Sequence, residues 1–462
     1  MKCLCAFEAV NLSNLAEDCE DLSTTRGGGL AVLNIGTVAD DLGKITPTES
    51  IVCGASKGLI YIDASSPKEA KHLVRSALAK RPVLKYATVM VEACEAPAES
   101  KFDEACAKLD AQVRWSQMRS PSVVFPATGG SRVCEIDKVR PTTGKLSEFT
   151  EARKAYGRNA KIGLLQRILG DAVSWEFDVV SDLNELADGG HGNAANKIAV
   201  LHFDGKGFGD KMRAARKRGP DGLRAFDAAA RKKPEDFFRD LVLNGDRSEW
   251  WTGDSPPKLR LEIVVYGGDE VVFIVPAWLG WTAMREFFRQ AKENGEDRYR
   301  AGMVICHAKA PIHAIRKLAG NLSSWAKEHR KGAPGSDAVC QVLESFDAVG
   351  RDLTKFMEER YPAVTAEVSA GGAILETEDV NLIADNMSHW RASISKRQLY
   401  KLVLALQGDH REKTDGTTIP GLIESSGAPK SVLDSLETLH KRLGRAAFLH
   451  ILELWDYVEV ER

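Results

Sequence analysis

Three carboxylates stand at the ends of short apolar runs, where metal-dependent chemistry could take place. Asp204 follows the apolar run 198–203, and Asp269 and Glu270 end the sequence Gly267-Gly268-Asp269-Glu270 between two further apolar runs. Two-metal nucleotidyl transfer requires carboxylates that converge from separate strands on Mg²⁺ or Mn²⁺. The pattern predicts that Asp204 and Asp269 are catalytic and hold the metal, with Glu270 and the Gly205 carbonyl as further ligands.

Each of these pieces also has an ordinary interpretation. Gly-Gly-Asp-Glu is a common type of hairpin turn, and Asp-Gly after an apolar run is a common strand exit. Their occurrence at the expected places of one folding unit is more specific, and it favours the metal site.

A glycine-rich loop, Gly205-Lys206-Gly207-Phe208-Gly209, leads from the first carboxylate into a helical stretch. The loop sequence predicts that the backbone amides of Gly207, Phe208 and Gly209, at the N-terminus of the helix, bind a triphosphate. Two roles are open for Phe208, stacking on a nucleotide base or packing in the hydrophobic core, and we favour packing in the core.

Three residues outside this loop are further candidates for nucleotide binding. Gly267 and Gly268 allow the backbone of the turn to approach phosphate. Lys327, in the last helical segment of the unit, is placed to reach the β- and γ-phosphates. A solvated lysine at a helix end is the equally weighted alternative.

The segment 211–233 has nine basic and two acidic residues and is the strongest local concentration of positive charge. It includes Arg216-Lys217-Arg218, which we consider candidates for binding an RNA backbone. The alternative is a solvated helix face, which is the usual outcome for a charge run.

The elements around these residues follow a recognisable order. Apolar runs at 198–203, 259–266, 271–275 and 300–307 predict strands, and helical spacing predicts helices at 210–244, 278–294 and 311–328, the first broken near Gly219-Pro220. The order β-α-β-β-α-β is the ferredoxin-like arrangement of palm-type nucleotidyl transferases and cyclases.

The N-terminal region repeats this order with altered chemistry. Segment 51–62 aligns with the hairpin 264–275, and it is followed by a predicted helix at 67–80 and a strand at 86–92. Ser56 and Lys57 stand where the second copy has Asp269 and Glu270, and only Glu8 remains of the acids. We therefore expect a degenerate palm that holds no catalytic metal, although any two such units look alike at this level.

The predicted fold class is α+β: two ferredoxin-like (βαββαβ) palm domains, the first degenerate, plus a mainly α-helical C-terminal domain. The predicted boundaries are 1–95, a linker and helical insert at 96–196, the catalytic palm at 197–330 and the helical domain at 331–462. Within the insert, 95–150 reads as irregular and 151–186 as helical. Apolar spacing at 399–406 and 433–454 supports the C-terminal helices.

Composition is that of an ordinary soluble protein, with 44% hydrophobic and 28% charged residues and a net charge of −2. No apolar run approaches the length of a membrane span, and no signal peptide is evident, so we expect a cytoplasmic protein without a membrane partner. The nine scattered cysteines predict reduced, mostly buried thiols.

The second palm resembles that of the large subunit of type III CRISPR effector complexes, which makes cyclic oligoadenylates. The matching pieces are the loop that follows Phe203, the Gly267-Gly268-Asp269-Glu270 turn, Ala301-Gly302-Met303 and Trp325-Ala326-Lys327. The resemblance implies ATP as substrate, nucleoside triphosphates as ligands, and guide or target RNA and CRISPR effector subunits as partners in an antiviral defence system.

The chain also departs from that family. The usual turn is Gly-Gly-Asp-Asp, and the chain has no His-Asp dipeptide, so a form without the family's nuclease domain is expected. Glu270 also resembles the turn of GGDEF-type diguanylate cyclases, but Val271 replaces their usual Phe. The alternatives are therefore such a cyclase, or a catalytically slow scaffold subunit that binds guide RNA and partner Cas-type proteins.

Overall fold

The computed structural model describes the chain except for residues 13–14, 16–17, 55, 121–131, 174, 268, 294–297, 331–334, 344–352, 354, 357–371, 401–428, 445 and 459–462.

The N-terminal region contains a four-stranded antiparallel sheet. Its strands are β1 (Lys2–Ala9), β2 (Thr48–Val52), β3 (Lys57–Asp63) and β4 (Val89–Glu95), in the order β2-β3-β1-β4. The helices between these strands include α1 (Leu22–Leu33), α2 (Val38–Gly43) and α3 (Pro67–Ala79). The sheet has the predicted ferredoxin-like order, and the predicted hairpin and the helix at 67–80 are confirmed.

Both faces of this first sheet are covered. Cys3 and Cys5 alternate with Leu4 along β1, so the two cysteines share a core with Val74 of α3 while Leu4 points to the opposite face. The nine cysteines all lie in the described part of the chain, and none of them forms a disulfide.

The prediction that 95–150 is irregular was wrong. Residues Phe102–Arg119 form an 18-residue helix, α4, and the next helix, α5, spans Glu148–Leu169. Phe102, Cys106 and Leu109 of α4 recur at helical spacing and pack with Leu4. The Ser-, Pro- and Gly-rich sequences around α4 obscured this short apolar stripe.

The second palm has its strands and helices in the predicted order. Its elements are β5 (Lys197–Gly205), α6 (Phe208–Lys217), α7 (Gly219–Asn244), β6 (Glu262–Gly267), β7 (Glu270–Pro276), α8 (Gly280–Glu293), β8 (Tyr299–His307) and α9 (Ile312–His329). The sheet order begins β6-β7-β5-β8, which matches the order of the first sheet. The two copies therefore share a topology, as the internal repeat predicted.

The C-terminal region adds strands as well as helices. Strand β9 (Asp337–Val342) runs parallel to β8 and is followed in the sheet by β10 (Leu375–Glu376). The helices of this region include α10 (Thr377–Ser393), α11 (Lys430–Leu443) and α12 (Ala446–Leu454). The helical prediction for 433–454 is confirmed, whereas most of 399–406 lies outside the described residues.

The chain divides into two compact units. The first contains residues 1–176, 207–243 and 263–271, and the second contains 177–206, 244–262 and 272–462. In the first unit, Ala215 and Leu223 of α6 and α7 join the apolar cluster around Leu4. The four predicted domain ranges stay predictions, and the division between the two compact units crosses the chain within both predicted segments 96–196 and 197–330.

Short elements complete the two units. In the first, Arg132–Val133 pairs with Pro141–Thr142, and in the second, Asp178–Val179 pairs with Lys258–Leu259. One-turn helices occupy Leu183–Leu186 and Arg247–Trp250. Within the described residues, no helix combines the length and the apolar character needed to cross a membrane.

Candidate active site

Asp204 lies near the end of β5, where the buried strand meets the surface. Its neighbour Phe203 is fully buried and stacks on Phe287 of α8, with ring centroids 3.9 Å apart. Asp204 pairs in register with Arg300 of β8, and its side chain is 27% exposed. A rigid aromatic core thus fixes the strand, while the carboxylate stays accessible to solvent and to ligands.

Lys327, one of the predicted phosphate-binding residues, contacts the predicted metal ligand Asp204. Its ammonium Nζ lies 3.4 Å from Oδ2 of Asp204, and its side chain is 60% exposed. An exposed ion pair of this kind stabilises the fold by no more than about 1 kcal/mol. The pair therefore brings two predicted site residues together through a weak contact that a bound ligand can replace.

His202 lies two residues before Asp204 on the same strand. Burial lowers the pKa of His202 to about 4, although the negative charge of Asp204 opposes the shift. The ring faces α9 at Gly320, where an added Cβ would lie 3.5 Å from its Cε1. At neutral pH the strand beneath Asp204 therefore carries a neutral imidazole, which adds no positive charge to compete with a cation.

The loop after Asp204 is held by its lysine. Nζ of Lys206 donates hydrogen bonds to Asp337 Oδ2 at 2.5 Å and to the Gly335 carbonyl at 2.9 Å. Burial lowers the pKa of Lys206, and the contact with Asp337 opposes this shift. Sequence analysis missed both partners, because Asp337 lies on β9, a strand that it did not predict.

The remaining loop residues begin helix α6. Gly207 has a left-handed backbone with φ of +68°, which glycine adopts without a steric penalty, and it forms the N-cap of the helix. Phe208 packs on Phe226 with centroids 4.9 Å apart, in agreement with the favoured core role. Gly209 is exposed, and only the side chain of Arg213 lies within 4 Å of where its Cβ would be. Nucleotide binding by these three residues stays a prediction.

The hairpin that carries the other two carboxylates is anchored through Tyr266. This residue is 2% exposed, its hydroxyl donates to Glu235 Oε1 at 3.0 Å, and it accepts a hydrogen bond from Arg167. Burial raises the pKa of the phenol. Asp269 is half-buried in the turn and Glu270 is exposed at the start of β7. Gly267 precedes them with φ of +135°, and Gly268 lies outside the described residues.

The predicted metal ligands have the right chemistry for a hard cation. Three carboxylates and the Gly205 carbonyl supply only oxygen, which is the donor that Mg²⁺ and Mn²⁺ prefer. In the part of the chain that the structure describes, no three side chains of His, Cys, Asp or Glu gather closely enough to hold a metal. The ligand assignments therefore stay predictions, and they rest on donor type and position.

In the first palm, Glu8 is surrounded by positive charge. Lys57 lies 3.4 Å from its carboxylate and Arg114 lies 3.0 Å from it. The pocket beside Glu8 and Lys57 is lined mostly by apolar side chains, among them Phe7, Leu59 and Leu109. Two cations against one carboxylate oppose the binding of a divalent metal, which gives a physical basis for the expected loss of chemistry.

The basic run in α6 and α7 is largely neutralised within the first unit. Arg216 pairs with Asp103 and with Asp110 of α4, the latter at 2.9 Å. Other members of the run that form ion pairs include Arg213, Arg224, Arg231 and Lys232. Lys217 and Arg218 are exposed and, among the described residues, make no ion pair. These two side chains are the better candidates for RNA contact.

We expect the double charge reversal Lys217→Glu/Arg218→Glu to weaken RNA binding for all sequences alike, because phosphate contacts carry no base information. The log-log slope of affinity against salt should fall by about one per contact removed. Filter binding at several salt concentrations measures both effects. The reversal Lys68→Glu/Lys80→Glu changes charge equally on α3 and its C-cap and is the control. Equal slopes for the parent and both variants would identify this segment as a solvated helix face.

We compared the chain with known protein families, sequences and structures. No family model matches the chain. An alignment 135 residues long, which covers 27% of the chain, is 31% identical to the Mycobacterium tuberculosis CRISPR system single-strand-specific deoxyribonuclease Cas10/Csm1 of subtype III-A. The match spans only 16% of that relative.

Solved structures match over almost the whole chain. A Csm1–Csm4 cassette in complex with cA3 has a TM-score of 0.60 at 11% identity, covering 99% of this chain and 70% of the other. Csm1 from T. onnurineus has a TM-score of 0.58 at 12% identity, covering 98% and 69%. The same kind of cassette with one ATP has a TM-score of 0.57 at 12% identity, covering 99% and 70%. Together with the sequence match, these similarities confirm the resemblance to the large-subunit family of type III CRISPR effectors.

Proposed function

We propose that the second palm is a metal-dependent nucleotidyl transferase that joins nucleoside triphosphates into cyclic or linear oligonucleotides, with oligoadenylate as the expected product. Asp204 and Asp269 hold Mg²⁺ or Mn²⁺, assisted by Glu270 and the Gly205 carbonyl. The setting is an antiviral defence system of the type III CRISPR kind.

One observation carries this proposal. Asp204, with Lys327 at 3.4 Å, ends a strand whose sheet has the ferredoxin-like order β6-β7-β5-β8, and Asp269 occupies the turn between β6 and β7. In such a sheet the first strand lies beside this hairpin, so the sequence motif occurs in the topology that it requires.

The reaction is a displacement at phosphorus. The 3′-oxygen of one nucleotide bonds to the α-phosphorus of the next, the bond to the β-phosphate bridging oxygen breaks, pyrophosphate leaves, and the hydroxyl proton passes to solvent. When bound, the metal lowers the pKa of the attacking hydroxyl and neutralises the phosphates. The chain positions the reactants, and positioning with charge neutralisation supplies most of the rate in such transfers.

Lys327 has two successive partners in this scheme. Without substrate its ammonium offsets the charge of Asp204, and with substrate bound it turns to the β- and γ-phosphates. The exposed, weak ion pair permits this exchange. The amides of Gly207, Phe208 and Gly209 at the start of α6 are the proposed donors to the rest of the triphosphate, and Gly267 and Gly268 of the hairpin sequence are further proposed nucleotide-binding residues.

We expect Lys327→Met to lower kcat/KM for ATP by about 10- to 100-fold, because a charge-assisted hydrogen bond to phosphate is lost. Most of the loss should appear in KM, and the thermal midpoint should change little. Steady-state kinetics measures the effect. Lys317→Met, at an exposed position of the same helix, is the matched control. If both variants keep the parent kinetics, Lys327 has no phosphate partner.

The similar proteins support the choice of nucleotide and partners. Solved Csm1–Csm4 cassettes contain ATP, cA3 or cA4. By analogy, the partners of this chain are other effector subunits and guide or target RNA. Glu270 in place of the family's second Asp favours a diguanylate-cyclase-like enzyme as the second candidate, with GTP as substrate.

The test is to incubate the full chain with labelled ATP and GTP, with Mg²⁺ or Mn²⁺, and with and without cognate RNA. Mass spectrometry of the products identifies base, size and linkage. Adenylate oligomers formed only with metal support the proposal, and cyclic di-GMP supports the second candidate. No product under any condition, together with tight RNA binding, would identify a scaffold subunit.

A further inference from the structure

The loop that follows Asp204 is tied to the C-terminal part of the second unit by a buried ion pair. The side chain of Lys206 is 10% exposed and that of Asp337 is fully buried. Their hydrogen bond is 2.5 Å long, and Lys206 also donates to the Gly335 carbonyl. Among the described residues, the second carboxylate oxygen of Asp337, Oδ1, accepts no hydrogen bond. The carboxylate therefore depends on Lys206.

The same place is held by the backbone and by strand register. The amide of Lys206 donates to the Arg298 carbonyl at 2.7 Å. Arg300 of β8 pairs in register with Asp204 of β5 on one side and with Asp337 of β9 on the other. Asp204, Arg300 and Asp337 thus lie side by side across three strands, and Lys206 closes the row from the end of β5.

We propose that Lys206 and Asp337 are positioning residues that fix the Asp204 carboxylate and the Gly205 carbonyl in the geometry required for metal binding. This inference rests on the proposed function. It makes β9, which lies beyond the predicted catalytic segment 197–330, a part of the active site. Lys206 is not a phosphate ligand in this arrangement, although a lysine in a glycine-rich loop invites that interpretation.

The physical argument is one of rigidity. A metal site tolerates little displacement of its ligands, and groups that orient the ligands commonly affect metal affinity or activity by 10- to 100-fold. A lysine paired with a buried carboxylate has a fixed position, whereas an exposed lysine in a glycine loop does not. The ion pair therefore removes freedom from the residues immediately after Asp204.

The experiment compares Mn²⁺ binding and hydrogen exchange in the full chain. Lys206→Met should raise the Mn²⁺ dissociation constant by about 10-fold or more, lower kcat more than it changes KM for ATP, and speed amide exchange at 204–207. This single variant leaves a buried carboxylate unpaired and could therefore unfold. The double variant Lys206→Met/Asp337→Val removes both charges together and is expected to stay folded. The double variant should show the same loss of Mn²⁺ affinity, and Lys206→Arg should recover most of it.

A matched control separates positioning from general loss of an ion pair. Lys258→Met removes a pair with Glu185 in the same unit and should leave Mn²⁺ affinity and exchange at 204–207 unchanged. Parent values in both the single and the double Lys206 variants would overturn this inference alone. A parent chain that neither binds Mn²⁺ nor converts nucleotides would overturn the proposed function, and this inference with it.

Discussion

Replacing Asp269 by alanine is expected to abolish nucleotide turnover while the chain stays folded. The proposed chemistry depends on a carboxylate in the turn between β6 and β7, and loss of a preorganised charge at a reacting phosphate lowers the rate by about 10³-fold or more. The side chain is half-buried in a turn, so its truncation opens no core cavity and should change stability by less than about 1 kcal/mol. Product formation from labelled ATP and thermal unfolding measure the two effects.

The matched control is Asp254→Ala, which removes a largely exposed carboxylate from a loop outside the proposed site. Asp204→Ala should reproduce the loss seen at Asp269, and the double variant should lose little more, because residues that act as a unit are not additive. Turnover at the parent rate in Asp269→Ala would show that the site assignment is wrong, even if the fold assignment holds.

The second palm could be predicted because its signals are local. The strands are short apolar runs, of which 198–203 and 259–266 stop directly before Asp204 and Gly267, and each helix has a clear apolar period. The turn 267–270 then fixes the hairpin, and the order of the elements leaves few topologies. The repeat in the N-terminal region followed from the same local signals, and the shared sheet order confirms it.

The elements that were missed depend on partners distant in sequence. Helix α4 has a narrow apolar stripe, and it is stabilised by packing on the sheet face around Leu4. Strand β9 is a short run, Asp337–Val342, preceded by glycine and proline, and it becomes a strand by joining β8. Tertiary context decides such segments more than propensity does.

The charged residues of the candidate site also have partners that the sequence did not reveal. Lys206 and Arg216 both belong to stretches that sequence alone associates with phosphate. The structure pairs Lys206 with Asp337 and Arg216 with Asp103 and Asp110, more than 100 positions away in each case. A charge run in sequence therefore identifies a basic segment but not which cations remain available, and here Lys217 and Arg218 are better placed than Arg216.

Gly302 is one of the residues that carry the resemblance to the type III CRISPR family, and the structure explains why glycine is required at this position. It lies on β8, facing α9, the helix that carries Lys327. A Cβ at this position would lie 1.9 Å from the carbonyl oxygen of Ala319 and 3.0 Å from Cβ of Leu322. The strand and the helix can approach this closely only because residue 302 has no side chain, and their approach sets the position of Lys327 relative to Asp204.

Gly302→Ala is therefore expected to destabilise the second unit by about 3 kcal/mol, since overpacking against backbone forces the helix to move. Nucleotide turnover should fall as well, because Lys327 moves with α9. Gly320→Ala is the matched control on α9 itself: its Cβ would meet the ring of His202 at 3.5 Å, an ordinary contact, and alanine in place of a helical glycine should stabilise by about 0.5–1 kcal/mol. Chemical denaturation of both variants measures the opposite signs. Equal stability of Gly302→Ala and the parent would show that β8 and α9 do not pack at the distance described.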